Sequence, residues 1–441
     1  MNPLTARLRE EIQAAPMSRR LGRIVSFNGL VIEAEGPDAR LGELCEIEGA
    51  AADAAVLAEV VGFRDERVLL MPYGHVGAIS TESRIRASGR PVAIAVGDGL
   101  LGRVVDALGQ PLDGLGPIAS AANYPLYREP INPLRRAPID QVLDTGVRAI
   151  DALLTLGAGQ RMGVFAGSGV GKSTLLGMLA RQVRADVTVL GLIGERGREV
   201  GEFLRHSLGE EGLRRAVVVA ATSDESALMR VHATHAAHAV AEYFRDRGKS
   251  VLLIVDSMTR FAMAQREIGL AIGEPPTFRG YTPSVFSQLP RLLERCGRLR
   301  DSGAITGIYS VLVEGDDMNE PITDHMRAIL DGHIVLTREL AARGHHPAID
   351  VLHSVSRLMS QIAGADDNAL AAEARRHLAA FEASRDLIEL GAHQRGGNPA
   401  LDRAIDLKPA LDKVLRQAPD ETCARAEALR RLGAAVHGRG A

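Results

Sequence analysis

The sequence predicts an α/β fold in which a largely parallel sheet carries helices on both faces, between an N-terminal β-barrel domain and a C-terminal helical domain. Near-continuous apolar runs alternate with helical segments over about residues 102–360, as in parallel sheets that are covered on both faces. Short β-branched runs separated by turn residues fill about residues 21–88. After residue 360 the sequence is rich in Ala, Arg, Glu and Leu and carries no strand signal.

Residues 1–18 form the first predicted part of the chain. Leu4, Leu8 and Ile12 recur every fourth residue among charged neighbours, so a helix would carry them in one narrow apolar stripe that Pro16 ends. A stripe this short does not fold alone. Two interpretations therefore stay open: a frayed terminus, or a docking helix that becomes ordered on a partner.

Residues 19–90 are predicted to form the β-barrel domain. Asn28-Gly29 separates the first two of its strand-forming runs, which predicts a hairpin with a two-residue turn. The predicted strands of this domain are 23–27, 30–34, 54–63 and 68–71.

Residues 91–360 are predicted to form the α/β core domain, and residues 361–441 the helical domain. The candidate strands of the core are 162–165, 187–193, 216–221, 251–255 and 305–313. The helical domain is expected to carry helices at 371–390 and 424–432, with breaks at 396–399 and 417–419.

Composition and charge exclude several classes of protein. The net charge of −3 gives no support to a nucleic-acid partner, since such proteins show a basic excess. The three cysteines are too sparse for a disulfide framework or a metal knuckle, which fits a reducing cytoplasm. No run of about 18 apolar residues occurs, so we expect membrane association only through partners.

A phosphate-binding loop is the most informative motif. Residues 166–173 read A-G-S-G-V-G-K-S between an apolar run and a helix-like stretch, and the glycines let main-chain amides turn onto phosphate oxygens at a helix N-terminus. The strict pattern has Gly where Ala166 stands, a mild change at the start of the turn. A glycine-rich turn of purely structural use is the alternative. The predicted nucleotide-binding residues are Gly167, Ser168, Gly169, Val170, Gly171, Lys172, Ser173 and Thr174.

Lys172 and Asp256 are predicted to act on the phosphates and their metal ion. Lys172 would neutralise β/γ-phosphate charge, while Ser173 would ligate Mg²⁺. Asp256 ends the apolar run 251–255, and ligands collect where parallel strands end, so Asp256 should lie beside Ser173 and hold a Mg²⁺-bound water. The alternative is an Asp that caps the next helix.

Glu195 is the candidate for orienting the attacking water. It follows the strand-like run 187–193, and a carboxylate at that edge can polarise the water that phosphoryl transfer requires. Arg196 and Arg260 could balance the charge that Glu195 and a triphosphate bring together, although arginine–glutamate pairs at strand ends are often merely structural.

Six motifs, taken in order, resemble those of the type III export ATPases, the flagellar export ATPase and its virulence-secretion relatives, which are kin of the catalytic subunit of rotary ATP synthases. The resemblance covers about residues 21–360. The tract 316–321 favours the flagellar branch. The motifs are A-G-S-G-V-G-K-S at 166, G-E-R-G-R-E-V at 194, D-S-M-T-R-F-A-M-A-Q-R-E at 256, G-E-P-P-T-F-R-G-Y-T-P-S-V-F at 273, E-G-D-D-M-N-E-P at 314 and I-L-D-G-H-I-V-L at 329.

The resemblance implies a P-loop NTPase core of the RecA-like kind that binds ATP and Mg²⁺. It agrees with the roles given to Lys172, Ser173, Glu195 and Asp256, and it adds Arg357 as an arginine finger that reaches a neighbouring subunit's γ-phosphate. In the catalytic relatives an aromatic residue before Pro stacks on adenine. Here His346 stands at that position and can stack with less surface.

The resemblance also implies partners. They are further copies of the chain in a homohexameric ring, a regulatory or stator protein at the N-terminal helix, a central stalk protein, and the export gate with its chaperones and export substrates. The location implied is cytoplasmic, peripheral at the inner-membrane export apparatus.

Other functions share parts of this pattern. A virulence secretion ATPase and a rotary synthase catalytic subunit have the same core, and a synthase would need a second, non-catalytic subunit type in its ring. A hexameric RNA translocase of the termination-factor kind would need an aromatic, basic N-terminal domain. The triplet His232, His235 and His238 invites a metal site, but three-residue spacing drifts around a helix, so we expect solvated or packed helix histidines.

Overall fold

The computed structural model describes residues 20–49, 55–74, 76–77 and 79–438. The predicted docking helix at 1–18 lies outside these residues. Two compact units make up the described chain. The first holds the described residues up to Ala93 together with Glu267–Pro275, and the second holds Ile94–Arg266 together with the described residues from Pro276 onward.

A closed six-stranded barrel forms the first unit, with strand order β1-β2-β5-β4-β3-β6. Apolar side chains from alternating positions, among them Ile32, Ile47 and Leu70, are buried inside it. The barrel predicted from the sequence is therefore present. Its strands are β1 Gly22–Phe27, β2 Ile32–Glu35, β3 Glu43–Ile47, β4 Val56–Arg64, β5 Arg67–Pro72 and β6 Arg84–Pro91.

The turn of the first hairpin is longer than the two residues predicted from the sequence. Phe27 pairs with Ile32, so four residues connect β1 and β2. The Asn28 side chain accepts hydrogen bonds from the backbone N–H groups of Leu30 at 3.1 Å and Val31 at 2.8 Å. Because this side-chain turn satisfies the backbone at residues 30 and 31, the strand starts later than the apolar pattern suggested.

A nine-stranded, mostly parallel sheet organises the second unit, in the order β19-β18-β12-β17-β15-β13-β14-β8, with β16 paired to β17. Each of the five predicted core strands is present, with ends that lie within two residues of the predicted ones. The strands after the barrel are β7 Ala93–Val96, β8 Val104–Val105, β9 Ala122–Pro125, β10 Val142–Leu143, β11 Leu156–Gly157, β12 Arg161–Ala166, β13 Val187–Glu195, β14 Ala216–Thr222, β15 Ser250–Asp256, β16 Gly297–Arg298, β17 Ala304–Leu312, β18 Gly332–Leu336 and β19 Ile349–Ser356.

Helices cover the sheet and make up most of the described chain after residue 360. Asn398 caps the N-terminus of one helix through Leu401 N–H, and Pro399 occupies its first position, so the predicted break at 396–399 is confirmed. The α-helices are α1 Arg148–Leu153, α2 Lys172–Gln182, α3 Gly197–Glu202, α4 Gly209–Arg214, α5 Ala227–Asp246, α6 Met258–Ile272, α7 Pro283–Leu293, α8 Pro321–Ile329, α9 Arg338–Ala342, α10 Met359–Ile362, α11 Ala365–Ala383, α12 Arg385–Glu389, α13 Pro399–Leu415 and α14 Arg425–His437.

The histidine triplet lies on α5 and is buried. His238 bonds the carbonyl of Thr234 at 2.8 Å and the hydroxyl of Tyr309 at 3.0 Å. His235 contacts the guanidinium of Arg295 at 3.2 Å, and burial lowers its pKa well below the ordinary value. These are packed helix histidines in a polar network beneath the sheet. Across the described residues, no cluster of His, Cys, Asp and Glu is arranged to hold a metal ion.

The buried polar network is completed by an ion pair. Arg295 donates two hydrogen bonds of 2.9 Å to the Glu242 carboxylate, and both side chains are almost wholly buried. Since a buried charge without its partner costs several kcal/mol, this pair ties α5 firmly to the segment that follows α7. As to membranes, none of the helices in the described part of the chain has the length and apolarity of a membrane span.

Candidate nucleotide site

The loop between β12 and α2 has the backbone of a phosphate cradle. Gly169 and Gly171 have φ values of 80° and 93°, in the left-handed region that other residues resist. Lys172 then begins α2, so the loop delivers successive N–H groups to a helix N-terminus. Ser168 and Gly169 are exposed at the tip of the loop, while Val170 is buried beneath it. The local sequence thus builds a concave, positively polarised surface.

Lys172 lies against the end of β15. Its ammonium group donates a short hydrogen bond to the Asp256 carboxylate, and the Ser310 hydroxyl donates to the same Asp256 oxygen at 2.5 Å. Ser310 Oγ is also 3.5 Å from Lys172 Nζ. Asp256 and Ser310 are buried because they end or lie within the central strands β15 and β17. A lysine, a carboxylate and a hydroxyl therefore meet at the carboxyl edge of the sheet.

Glu195 reaches the same group of side chains from β13. The pairing of β13 with β14 shifts register between Ile193 and Glu195, and Gly194 between them has a φ of 70°. A bulge of this kind redirects the side chain that follows it. The Glu195 carboxylate lies 3.9 Å from Lys172 Nζ.

Burial sets the protonation of Glu195. Desolvation, followed by the neighbouring charge of Asp256, raises the pKa of Glu195 to about 7, against the opposing effect of Lys172. A carboxylate whose pKa lies near neutral pH is suited to accept a proton from water or to orient one. The site thus places two carboxyl groups beside Lys172, and the one on Glu195 has its pKa raised.

A cavity of about 350 Å³ opens beside these residues. Its wall includes the predicted residues Ser173, Glu195 and Asp256, so a hydroxyl and two carboxyl groups face one space. Oxygen ligands of this kind are what Mg²⁺ prefers. The sequence motifs assign no role to the other residues of the wall, which are Leu192, Glu199, Val200, Glu202, Phe203, His206 and Ser207.

The two arginines predicted near Glu195 have different surroundings. The Arg260 side chain packs against Gly194, where an added Cβ would lie 2.9 Å from Arg260 Cβ. Arg196 occupies the position before the first turn of α3, and its exposed guanidinium pairs with Glu199 at 3.7 Å. Neither residue belongs to the cavity wall. The fold therefore brings Arg260 beside Glu195 and directs Arg196 toward the first turn of α3.

His346 is exposed in the connection between α9 and β19. Its carbonyl accepts a hydrogen bond of 2.8 Å from the N–H of Gln417. Strand β18 precedes this connection, and Leu336 at its end pairs with Ala166 at the start of the phosphate loop. His346 thus follows a strand that ends at the same edge of the sheet as the loop. Its contact with adenine stays a prediction.

Arg357 lies near the amino end of strand β12, whereas the phosphate loop follows the carboxyl end of the same strand. Its N–H donates to the Asp331 carbonyl, and Asp331 bonds Arg161 at the start of β12. The Arg357 guanidinium donates to the Arg327 carbonyl at 3.1 Å and is exposed. The five residue steps from Arg161 to Ala166 span about 17 Å at the strand rise. Arg357 is therefore separated from the phosphate loop of its own chain by about the length of strand β12.

Ser310 is the contact of Lys172 and Asp256 that the motifs did not reveal. A signal existed, because Ser310 is a polar residue inside the mostly apolar run of β17. Recognising its role requires the strand order, since β17 pairs with both β12 and β15. Val164 opposite Ser310 and Val255 opposite Tyr309 fix the register that brings the hydroxyl to Asp256.

Family models match most of the chain. Residues 24–89 match the beta-barrel domain of the ATP synthase alpha/beta family, and residues 146–356 match the nucleotide-binding domain of the same family. Residues 363–434 match the T3SS EscN ATPase C-terminal domain. The three matches follow one another in the order expected for a barrel, an α/β core and a helical region.

Individual relatives agree with these matches. The flagellum-specific ATP synthase of Bacillus subtilis is 50% identical over 428 residues, which cover 96% of each chain. The assembled ATPase EscN of the enteropathogenic E. coli type III secretion system is 45% identical, with a TM-score of 0.89, over 94% of this chain and 100% of that chain. EscN in complex with its central stalk EscO gives a TM-score of 0.87 at 44% identity, over the same shares.

Proposed function

This chain belongs to the type III export ATPases of the ATP synthase alpha/beta family, and from that premise we propose that it hydrolyses Mg²⁺-ATP at the loop 166–173 to assist type III protein export. Two contacts of Lys172 carry this proposal. Its ammonium group donates a hydrogen bond to the Asp256 carboxylate, and the same group lies 3.9 Å from the Glu195 carboxylate. Phosphoryl transfer requires an ammonium group on the phosphates, oxygen ligands for the metal and a group that orients water. These three side chains supply them.

The residues around the loop have separate tasks. Main-chain amides of the loop and Lys172 hold the phosphates, and Ser173 with Asp256 would hold Mg²⁺, Asp256 through a water. Mg²⁺ bound there would supply positive charge that offsets the charge of the phosphates. Glu195 orients the attacking water and accepts its proton as the bond to the γ-phosphorus forms, while the bond from that phosphorus to the β–γ bridging oxygen breaks and ADP leaves.

Each active site is composite, formed by two neighbouring copies in a homohexameric ring. Arg357 lies at the edge of the sheet opposite its own phosphate loop, so it serves an adjacent copy. An exposed guanidinium can enter a neighbouring site and offset charge on the transferring phosphoryl group. The assembled state of EscN supports a ring of this kind.

Hydrolysis and its dependence on assembly can be measured together. Purified protein with Mg²⁺-ATP is expected to release phosphate at a rate per chain that rises with protein concentration, because a composite site needs a neighbour. The Lys172→Ala variant gives the background. A rate per chain that stays constant on dilution would contradict the composite site, and a rate no higher than that of Lys172→Ala would contradict the proposed function.

The proposed setting is the cytoplasmic face of the export apparatus. A central stalk protein binds the ring, as EscO binds EscN, and further contacts are made with the export gate, chaperones, export substrates and a regulatory protein at residues 1–18. Nucleic acid has no part in this scheme, and Arg196 and Arg260 balance charge near Glu195.

Between the flagellar and the virulence branch, we propose the flagellar one for this chain, with a virulence secretion ATPase as the alternative. The tract 316–321 and the flagellar name of the Bacillus subtilis relative support this assignment. Expression in a bacterium that lacks its own flagellar export ATPase is expected to restore flagellar filaments, with Lys172→Ala as the control. Restoration of virulence secretion alone, in a strain that lacks its secretion ATPase, would contradict the flagellar assignment.

A further inference from the structure

Two charged residues lie directly on the backbone where the phosphate loop begins. Strands β17 and β18 flank β12, and each is followed by one of them: Asp316 after β17 and Arg338 after β18. A Cβ added to Gly167 would lie 2.7 Å from Asp316 Oδ1 and 3.1 Å from Arg338 Nε. The two side chains pair with each other at 3.6 Å. They therefore form a clamp over the one face of Gly167 where a side chain would stand.

The next residue connects this clamp to a surface loop. Asp317 Oδ2 accepts a hydrogen bond of 2.9 Å from the Arg279 guanidinium, and Asp317 Oδ1 accepts one of 3.0 Å from the Asn319 N–H. The Asn319 N–H, followed by Arg279, lowers the pKa of Asp317, so the carboxylate stays charged near neutral pH. An ionic contact thus joins the segment that holds Asp316 to the short 3₁₀ helix Phe278–Gly280.

An aromatic side chain forms the tip of that surface loop. Phe278 is 68% exposed, which is unusual for a residue of its apolar area. The Arg279 guanidinium lies 5.9 Å from the centre of the Phe278 ring while it also pairs with Asp317. Contacts of Arg279 therefore connect Asp317 with the ring of Phe278.

The backbone is strained at both ends of this connection. Asp316 and Arg279 have φ values of 58° and 53°, and Gly315 beside Asp316 has a φ of 64°. Residues with a side chain keep such angles only where neighbouring contacts hold them, and they concentrate at switch regions. Loss of the pairing at Asp316 or at Arg279 allows the segment to relax to another conformation.

We propose that the segment 314–320 transmits occupancy of the phosphate loop to Phe278. Phosphate at the loop attracts the Arg338 guanidinium and weakens its pairing with Asp316, since the new anion lies close to the clamped glycine. Asp316 then moves with Asp317, which displaces Arg279 and the ring of Phe278. Asp316, Asp317 and Arg279 are positioning residues in this scheme, which rests on the proposed nucleotide site.

The chain contains no tryptophan, so Phe278→Trp creates a single fluorescent reporter at the exposed tip. Addition of a non-hydrolysable ATP analogue with Mg²⁺ is expected to shift or quench the emission of this tryptophan. Binding of the same analogue is measured separately by equilibrium dialysis with a radiolabel. Adding Lys172→Ala to the reporter is expected to reduce binding and the emission change together.

Further substitutions in the reporter protein separate transmission from binding. Asp317→Asn and Asp316→Asn each remove a charge, and Asn tolerates left-handed backbone, so both variants should bind the analogue while losing the emission change. Arg279→Lys keeps the charge and should retain part of the change. Asp324→Asn breaks an exposed pair with Arg327 outside this connection and should leave the change intact.

Three results would overturn the proposal. The first is dialysis that finds the analogue bound while the emission of the Phe278→Trp reporter stays unchanged. The second is an emission change that survives in both Asp316→Asn and Asp317→Asn. The third is failure of the analogue to bind at all, which would overturn the proposed function as well and is distinguished from the others by the dialysis measurement.

Discussion

Replacing Arg357 by alanine is expected to lower the rate of ATP hydrolysis by about 10³–10⁵-fold, the range that arginine fingers contribute in other NTPases. The loss should appear in kcat, with nucleotide affinity nearly unchanged, because the guanidinium acts on charge that develops in the transition state. Steady-state phosphate release and equilibrium nucleotide binding measure the two quantities. Arg357→Lys should be intermediate, since an ammonium group keeps the charge but not the forked donors.

Mixing two inactive variants tests whether Arg357 acts on a neighbour. Lys172→Ala chains have a damaged phosphate loop but an intact Arg357, while Arg357→Ala chains have the reverse. In mixed rings some Arg357→Ala sites face an intact arginine, so activity should reappear well above that of either variant alone. Activity that stays at the level of the single variants in rings shown to be mixed would contradict action across a subunit boundary.

Replacing Glu195 by glutamine is expected to lower kcat by about 10²–10⁴-fold, as is usual for removal of a positioned general base. Glutamine preserves the size of the side chain but cannot take the proton of the attacking water. Nucleotide binding should be retained or strengthened, because a buried carboxyl next to Asp256 is removed. Glu202→Gln is the matched control, since Glu202 lines the same cavity and pairs with Arg198 near the surface.

The pH dependence of kcat/KM tests the same role of Glu195. Glu195 must be ionised to accept a proton, and its pKa is raised to about 7, so kcat/KM should fall as pH drops below 7 and level off above it. A profile that is flat between about pH 6 and pH 8, or a Glu195→Gln variant as active as Glu202→Gln, would contradict the role given to Glu195.

Local sequence explains why so much of the site could be predicted. A phosphate loop is a continuous segment, so Lys172 and Ser173 are specified by their immediate neighbours. Asp256 and Glu195 each end an apolar run, and parallel strands bring their carboxyl ends to one edge. Those facts follow from residue type and strand direction alone. The hairpin at Asn28 is an exception, because hydrogen bonds of the Asn28 side chain satisfy the backbone there and β2 begins later than the apolar pattern predicts.

What the sequence by itself determined is the kind of chemistry: a parallel sheet, a phosphate cradle and two strand-end carboxylates. Only the tertiary structure decided which residues from distant segments meet there. Ser310 reaches Asp256, and Asp316 and Arg338 reach Gly167, because β17 and β18 flank β12. The physical reason is that strand order is set by packing of the whole sheet, which no local pattern encodes.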